Sequence, residues 1–373
     1  MSEKKKVLIV NNPLQYGGSD FVAVRFQQNL DKHKFECAYC LHHGEETGPY
    51  EQYVASTGVR IIHQTENTNG YIDSYKYYLD LFSKEHFDIV HCHLPFFGAI
   101  VMAAAKKCGI KKRICHSHFS QPLDFGQSKF KSMISDVYRV FMRKAVTKYS
   151  TDIIGCSKES GEYLAGKSGF SKKGVVLNNG IDTNEYIFDV EKRNSLRMQL
   201  GIEDKIVLGH IGQMYYVKNH TFLIDIFNAF QKKKENSVLL LISDGPDREK
   251  IQNKVDLLGL TEKVKFLGFR NDIPDLLLAL DCFVFPSIHE GFPLTLVEAQ
   301  AAKLPCVVSD MITKDVELSN ALSFVSLNND TDKWCSEIEK MISLNRNEID
   351  NSTVIENFDI KNVVKKLEQI YLN

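Results

Sequence analysis

The chain has 373 residues, 43% hydrophobic and 25% charged, with 46 Lys and Arg against 47 Asp and Glu and a formal net charge of -1. That length exceeds what one hydrophobic core usually serves and points to two domains of ordinary soluble composition. The charge balance excludes a global attraction to nucleic acid, and no apolar run approaches the ~20 residues that cross a bilayer.

The N-terminus, MSEKKKVLIVNNP, carries a basic run and then only VLIV. That is too short for a secretory core and predicts a first β-strand at 7–10. Gly17 and Gly18 follow it. A glycine pair before a helix lets a ligand approach closely, although a bare turn explains it equally well. The full G-x-G-x-x-G fingerprint is missing, which argues against a dinucleotide. Further strands are predicted at 35–40, 60–63, 89–93, 112–116 and 153–156, with helical patterns between them, as at 20–30 and 98–108. Such alternation implies a parallel sheet covered on both faces.

The nine cysteines are scattered among apolar residues, as expected of reduced thiols in the cytoplasm. Cys37 and Cys40 form C-x-x-C, but on a predicted strand, where positions three apart point to opposite faces. Two H-x-H pairs, His91 with His93 and His116 with His118, fall at strand ends. No Cys-rich or H-E-x-x-H partner set accompanies them, so they are read as pocket lining and no metal site is assigned. Residues 129–149, KFKSMISDVYRVFMRKAVTKY, place Phe130, Met133, Ile134, Val137, Phe141 and Ala145 at helical spacing among basic residues. A basic amphipathic helix suits an anionic membrane surface; a helix packed on the core with solvated lysines fits the pattern too.

Residues 183–204 are polar and poor in strand signals, as an inter-domain segment would be. A second series follows, with strands at 206–209, 237–243, 264–267, 282–285 and 305–309. Helices are predicted at 219–232, 247–258, 273–279 and 294–302, and a terminal helix at 360–372. In open α/β sheets ligands bind beyond the carboxyl ends of strands, so residues just after strands are the candidates. After the first strand of this series comes GHIGQMYYVKN. Gly212 permits close approach, and Lys218 offers a point charge for phosphate, although alone it reads as a surface lysine. After 282–285 comes PSIHEGFPLTLVEA. Glu290 sits on the turn and Glu298 about one helical turn in. The backbone N–H groups between them suit a phosphate, and the glutamates suit sugar hydroxyls. Glu298 as a simple first-turn acid is the competing view.

Glu290-x7-Glu298, with Gly212, Lys218 and Asn219 upstream and the Gly17-Gly18 pair, resembles the retaining glycosyltransferase family 4 of GT-B fold. The likeness spans essentially the whole chain. It is nearest to bacterial enzymes of capsular or exopolysaccharide assembly, in RICHSH, LNNGID, GHIGQ with KNH, and EGFPLTLVEAQAAKLPCVVSD. It implies an α/β protein of two Rossmann-like domains facing each other across a cleft: 1–182 on the acceptor side, 183–204 between, 205–355 on the donor side, and 356–373 returning toward the first domain. Glu290 would contact donor-sugar hydroxyls, and Gly291, Phe292, Pro293 and Leu294 would touch sugar and diphosphate. Glu298 would hold the ribose and Lys218 the diphosphate. Gly245, Gly268 and Phe269 would line the nucleotide pocket. His116 best matches the family's histidine, with His118 and His93 as acceptor-side or secondary groups.

Gln213 stands where the family has arginine, and Arg248 and Arg270 are the candidates to replace its charge. The implied reaction is metal-independent transfer of a hexosyl or N-acetylhexosaminyl group, with retention. It would run from a nucleotide-diphosphate sugar, taken as UDP-linked and a substrate rather than a cofactor, to a glycan or lipid-linked acceptor. The expected place is the cytoplasm, at the inner face of the cell membrane if 129–149 touches lipid. A UDP-sugar epimerase, a hydrolase using the two glutamates and a non-catalytic partner subunit remain the alternatives.

Overall fold

A computed structural model describes residues 3–15, 18–42, 48–64, 70–119 and 129–373, with the side chains of residues 49 and 129–136 outside the description. Gly17 lies outside the described residues, as do the side chains of Phe130, Met133 and Ile134. The chain divides into two compact units, Met1–Gly180 with Ile360–Asn373, and Ile181–Asp359.

The first unit is built on seven strands: β1 (Lys5–Asn11), β2 (Phe35–His42), β3 (Arg60–Gln64), β4 (Ile89–Cys92), β5 (Lys112–Ser117), β6 (Asp152–Gly155) and β7 (Gly174–Val176). They form one parallel sheet in the order β3-β2-β1-β4-β5-β6-β7. The second unit has β8 (Ile206–Ile211), β9 (Ser237–Ile242), β10 (Val264–Gly268), β11 (Cys282–Phe285), β12 (Cys306–Ser309) and β13 (Leu322–Val325), also parallel, in the order β10-β9-β8-β11-β12-β13. Strand order reverses between β1 and β4 and again between β8 and β11, the two places where an open sheet leaves a crevice for ligand.

The sequence folds this way because each central strand is apolar on both sides. Val7 and Ile9 enter one core cluster of the first unit while Leu8 and Val10 enter the other. Leu239 and Leu241 face one cluster of the second unit, Val238 and Leu240 the other. Each such buried side chain is worth ~1.5–3 kcal/mol against exposure. Cys37 and Cys40 do part to opposite faces of β2, and all nine cysteines are free. Burial raises the Cys37 thiol to about 12 and the Cys40 thiol to about 11, so neither is a poised nucleophile.

Residues 183–204 are anchored on the second unit. Within them, helix Val190–Leu200 packs on helix Ile273–Ala279. Arg193 and Arg197 both reach Asp281 and also donate to the carbonyls of Leu278, Leu280 and Ala279. The polar character of the segment thus serves a buried ion-pair network. Helix Ile360–Leu372 packs on helix Gly18–Asn29 of the first unit, placing Ile360, Val363, Val364, Leu367 and Tyr371 in its core.

Helix Lys129–Tyr149 divides the described apolar positions that its sequence singles out: Ala145 packs against the core, whereas Val137 and Phe141 do not. Val146 is buried, with Met142, Ala145 and Tyr149 packed against the core. Val137 and Phe141 are instead 53% and 68% exposed, beside exposed Val140.

Candidate functional site

In the second unit the loops after β8 and β11 are laced together. Ile288 N–H donates to Val217 O at 2.8 Å, and Asn219 Nδ2 donates to Pro286 O at 3.1 Å. Asn219 holds a left-handed φ of 56° at the start of helix His220–Lys233, a conformation that asparagine tolerates better than most residues. The lacing sets Lys218 Nζ 2.7 Å from Glu290 Oε1, with side chains only 19% and 12% exposed. This is an ion pair by distance; Glu290 Oε1 has no partner aligned for a hydrogen bond. Lys218 also lies over the Phe285 ring, 5.1 Å from its centroid.

Helix Leu294–Ala301 begins at Pro293 with no side-chain cap; Leu296 N–H already bonds Pro293 O at 3.1 Å, and the N–H groups of Leu294 and Thr295 before it suit an anion. Glu298 accepts a hydrogen bond from the Tyr186 hydroxyl at 3.0 Å. Phe292 stacks on Phe358, centroids 5.5 Å apart, which fixes the turn before the helix. Gly291 is exposed and Leu294 half-buried. Gly212 is hemmed in: a Cβ there would meet His210 Nε2 at 3.2 Å and Lys218 Cδ at 3.3 Å. At Gly245 a Cβ would strike the Met214 backbone at 2.7 Å, so only glycine allows that close approach. The loop there is tied by Met214 N–H to Asp244 O at 3.0 Å and Asp247 N–H to Met214 O at 2.9 Å. Gly268 has φ of 65° and open space around it, and Phe269 is 71% exposed.

Gln213 is exposed at the mouth of β8. Of the two arginines expected to replace a missing charge, Arg270 is spent on Asp272, at 2.7 and 2.5 Å. Arg248 stacks over Phe266 at 3.4 Å and donates to the neutral Gln252. Its backbone N–H bonds Gly245 O, so it belongs to the same loop that packs on Met214.

In the first unit Gly18 opens helix Gly18–Asn29 with free space where a Cβ would stand. Four histidines gather on neighbouring strands. His91 and His93 flank Cys92, which pairs with Cys115, and His116 and His118 follow on the same side. His91 Nε2 lies 3.1 Å from His116 Nδ1, and His93 Nδ1 lies 2.9 Å from His118 Nε2. His118 Nδ1 reaches Asn179 Oδ1 at 3.3 Å. His116 stands one residue before the end of β5 and is fully buried, stacked on Phe26, whereas His118 lies past the strand. Burial is the main cause pushing every ring toward neutrality: His91 to about 3, His118 to about 4, and His93 and His116 well below the usual value. Donor atoms of His91, His93 and His116 fall within 4.8 Å of one another, the one such group among the described residues. Neutral imidazoles are competent metal ligands, but here His91 Nε2 and His116 Nδ1 are engaged with each other, His91 Nδ1 with Tyr371 and His93 Nδ1 with His118, and no carboxylate joins them; His116 Nε2 alone is buried without a partner among these.

A cavity of about 340 Å³ opens near the carboxyl ends of β1, β2, β4 and β5, lined by Asn12, His42, Leu94, Pro95, Phe96, Phe97, Phe119 and Tyr163. His42 and Phe97 sit with centroids 4.0 Å apart at its wall.

Sequence reading missed Tyr186, Asn179 and Tyr371, and left Asn219 without a role. Only Asn219 had a local signal, its place beside Lys218. The others act through partners 61 to 280 residues away.

Residues 16–185 match the family described as Glycosyltransferase Family 4, and residues 192–370 match Glycosyl transferases group 1. The chain is 27% identical over 354 residues to an Escherichia coli UDP-Gal:alpha-D-GlcNAc-diphosphoundecaprenol alpha-1,3-galactosyltransferase, covering 88% of this chain and 87% of that one. It is 22% identical to CapH, a capsular polysaccharide biosynthesis glycosyltransferase of Staphylococcus aureus, over 99% of both chains. Among solved structures, HepE of Anabaena in complex with UDP superposes with a TM-score of 0.77 at 18% identity, over 98% of each chain, a likeness of fold. The two domain matches, the relatives along nearly its full length and the two doubly wound sheets make this chain a member of the GT-B glycosyltransferases, with a Family 4 first half and a group 1 second half.

Proposed function

We propose that this glycosyltransferase moves a hexosyl or N-acetylhexosaminyl group from a UDP-sugar to a glycan or lipid-linked acceptor in surface-polysaccharide assembly, with retention and without a divalent ion. The observation that carries this reading is the β8–β11 switch point: Lys218 and Glu290 in contact beside an uncapped helix start, with Glu298 one turn further. A nucleoside diphosphate supplies the anion that both the helix start and Lys218 favour, and its ribose and sugar supply hydroxyls for the glutamates. On binding, Lys218 exchanges Glu290 for the diphosphate, and Glu290 is released to the sugar. The same charges stabilise the leaving diphosphate, the task a metal performs elsewhere. UDP is favoured as donor nucleotide because the Escherichia coli relative is named for UDP-Gal and HepE was solved with UDP.

In the step itself, the bond from the anomeric carbon to the diphosphate oxygen breaks and a bond to the acceptor oxygen forms on the same face. The acceptor proton passes to the departing diphosphate. No carboxylate is assigned as nucleophile: in this reading Glu290 holds the sugar hydroxyls, and Glu298 accepts a hydrogen bond from Tyr186. The aromatic cavity of the first unit fits the acceptor. No helix among the described residues is long and apolar enough to cross a membrane. Exposed Val137, Val140 and Phe141, on a helix that also carries Arg139 and Lys144, favour surface contact with anionic lipid at the inner face of the cell membrane.

Thermal unfolding with UDP, GDP and ADP, repeated on Glu298→Ala, tests the donor assignment. Stabilisation by UDP that the variant loses is expected, because a ligand bound only to the folded state raises stability. Stabilisation by another nucleotide, or by none, sinks the UDP assignment.

A further inference from the structure

The first unit contains a polar chain whose direction can be deduced. Tyr371, in the last turn of helix Ile360–Leu372, places its hydroxyl 2.7 Å from His91 Nδ1. His91 Nε2 in turn lies 3.1 Å from His116 Nδ1. Those two rings are 7° from parallel with centroids 5.3 Å apart, so the two nitrogens lie between the ring centres and point at each other. That is the geometry of an N–H···N bond. At the far end His116 Nε2 is buried with no partner.

A neutral imidazole carries one N–H, so the chain can run in only two ways. In the first, the Tyr371 O–H donates to His91 Nδ1, His91 Nε2–H donates to His116 Nδ1, and His116 keeps its proton on Nε2. In the second, His116 Nδ1–H donates to His91 Nε2, and His91 Nδ1–H donates to the phenol oxygen. The second direction strands the phenol hydrogen, because among the described residues the Tyr371 hydroxyl bonds only to His91. It therefore leaves two groups unsatisfied where the first leaves one, and each buried unmade bond costs free energy. Burial holds all the rings neutral, so one proton per ring is the correct count.

We propose that Tyr371 is a positioning residue that fixes His116 as its Nε2–H tautomer, a neutral hydrogen-bond donor and not a base. Any effect of that donor on turnover rests on the transferase reading; the tautomer stands without it. A terminal helix, far from the strand ends in sequence, thereby sets the chemistry of a ring at a strand end.

The test uses the full chain with 15N-labelled histidine and long-range 1H–15N spectra, which tell a bare ring nitrogen from one bearing hydrogen. His91 and His116 are expected with hydrogen on Nε2 and bare Nδ1. In Tyr371→Phe, which keeps the edge-on packing against Phe35, His116 is expected to become a mixture of tautomers, with kcat down about three- to tenfold and donor KM unchanged. Hydrogen on His116 Nδ1 in the wild type overturns the proposal, as does a pure Nε2–H form persisting in Tyr371→Phe. Stoichiometric zinc uptake that removes the N–H···N signature also overturns it, in favour of a metal centre on His91, His93 and His116. If Tyr371→Phe does not fold, the wild-type spectrum still decides the direction. Expected tautomers in a protein with no transferase turnover would count against the reaction alone.

Discussion

The two units share one strand order around their switch points yet present opposite chemistry there. Beyond β8 and β11 stand a lysine, two glutamates and an uncapped helix start, all partly accessible. At β4 and β5 stand four imidazoles held neutral by burial, beside a cavity walled largely by Phe96, Phe97, Phe119 and Tyr163. The same frame therefore carries a charged site suited to a diphosphate and an uncharged one suited to hydroxyls and apolar groups. Fold places the site in each case, and the residues after the strands decide what it takes.

The sharpest way to break that contrast is at Glu290. Glu290→Ala is expected to lower kcat by about 10²–10³, the cost of losing one preorganised polar contact to the reacting group. The first unit should be untouched, which hydrogen exchange in β4 and β5 can verify. A loss confined to KM would make Glu290 a mere anchor for Lys218.

Acid should separate the units next. His91 and His118 fall to about 3 and about 4, and His93 and His116 lie well below their usual value. In the second unit only His220, at about 4, and His210 behave alike. A depressed histidine refuses protons that the unfolded chain accepts, so stability is full above the unfolded pKa of ~6.5 and falls as pH drops toward the folded values. At pH 5 each such ring costs about 2 kcal/mol relative to pH 7. Hydrogen exchange at the two pH values should show the first unit losing more protection; equal losses would mean that the cluster is not neutral.

The charged site also offers a substitution that reports on its missing arginine. Arg248 has no acidic partner among the described residues and sits on the loop that packs against Met214, so it is the better candidate to cover for Gln213. Arg248→Gln should weaken UDP binding about tenfold, and Gln213→Arg should restore most of it in that background, as charge-assisted bonds to phosphate are worth ~1.5–3 kcal/mol. Calorimetric titration with UDP reads both. If Arg248→Gln binds as the wild type does, the site works with Lys218 and the helix start alone.

The central strands were legible because burial on both faces writes continuous apolar runs such as VLIV, VLLLI and CFVF into the sequence. The two strands that escaped notice, β7 and β13, are the last of their sheets. An edge strand has one neighbour and less to bury: Val175 and Val176 are exposed, and β13 keeps only its terminal Leu322 and Val325 buried. The charged site was legible for a related reason. Lys218, Glu290 and Glu298 sit on short loops and one helix start, where a local motif fixes the geometry. The histidine cluster was visible as two H-x-H pairs, but its direction depends on Tyr371, a residue 280 positions from His91. Long-range hydrogen bonds leave no local pattern. Within residues 183–204 the polar composition likewise carries a contact that no local pattern shows: Arg193 and Arg197 both pair with Asp281, more than 80 positions away.

The smallest expected effect concerns the outer surface of the first unit. Val137 and Phe141 share the apolar spacing of Ala145, but Met142, Ala145, Val146 and Tyr149 pack on the core while the other two stand in solvent. Burying an apolar side chain is worth ~1.5–3 kcal/mol when complete, and shallow insertion into a headgroup region captures part of it. Val137→Ser with Phe141→Ser should therefore reduce binding to vesicles containing anionic lipid several-fold. The melting temperature should stay unchanged, because both side chains are already exposed. Salt should weaken what binding remains, since Arg139, Lys144 and Lys148 then act alone. If the double variant binds vesicles as the wild type does, the exposed apolar pair has no part in membrane contact. If neither protein binds, a lipid-linked acceptor must be met without help from this helix.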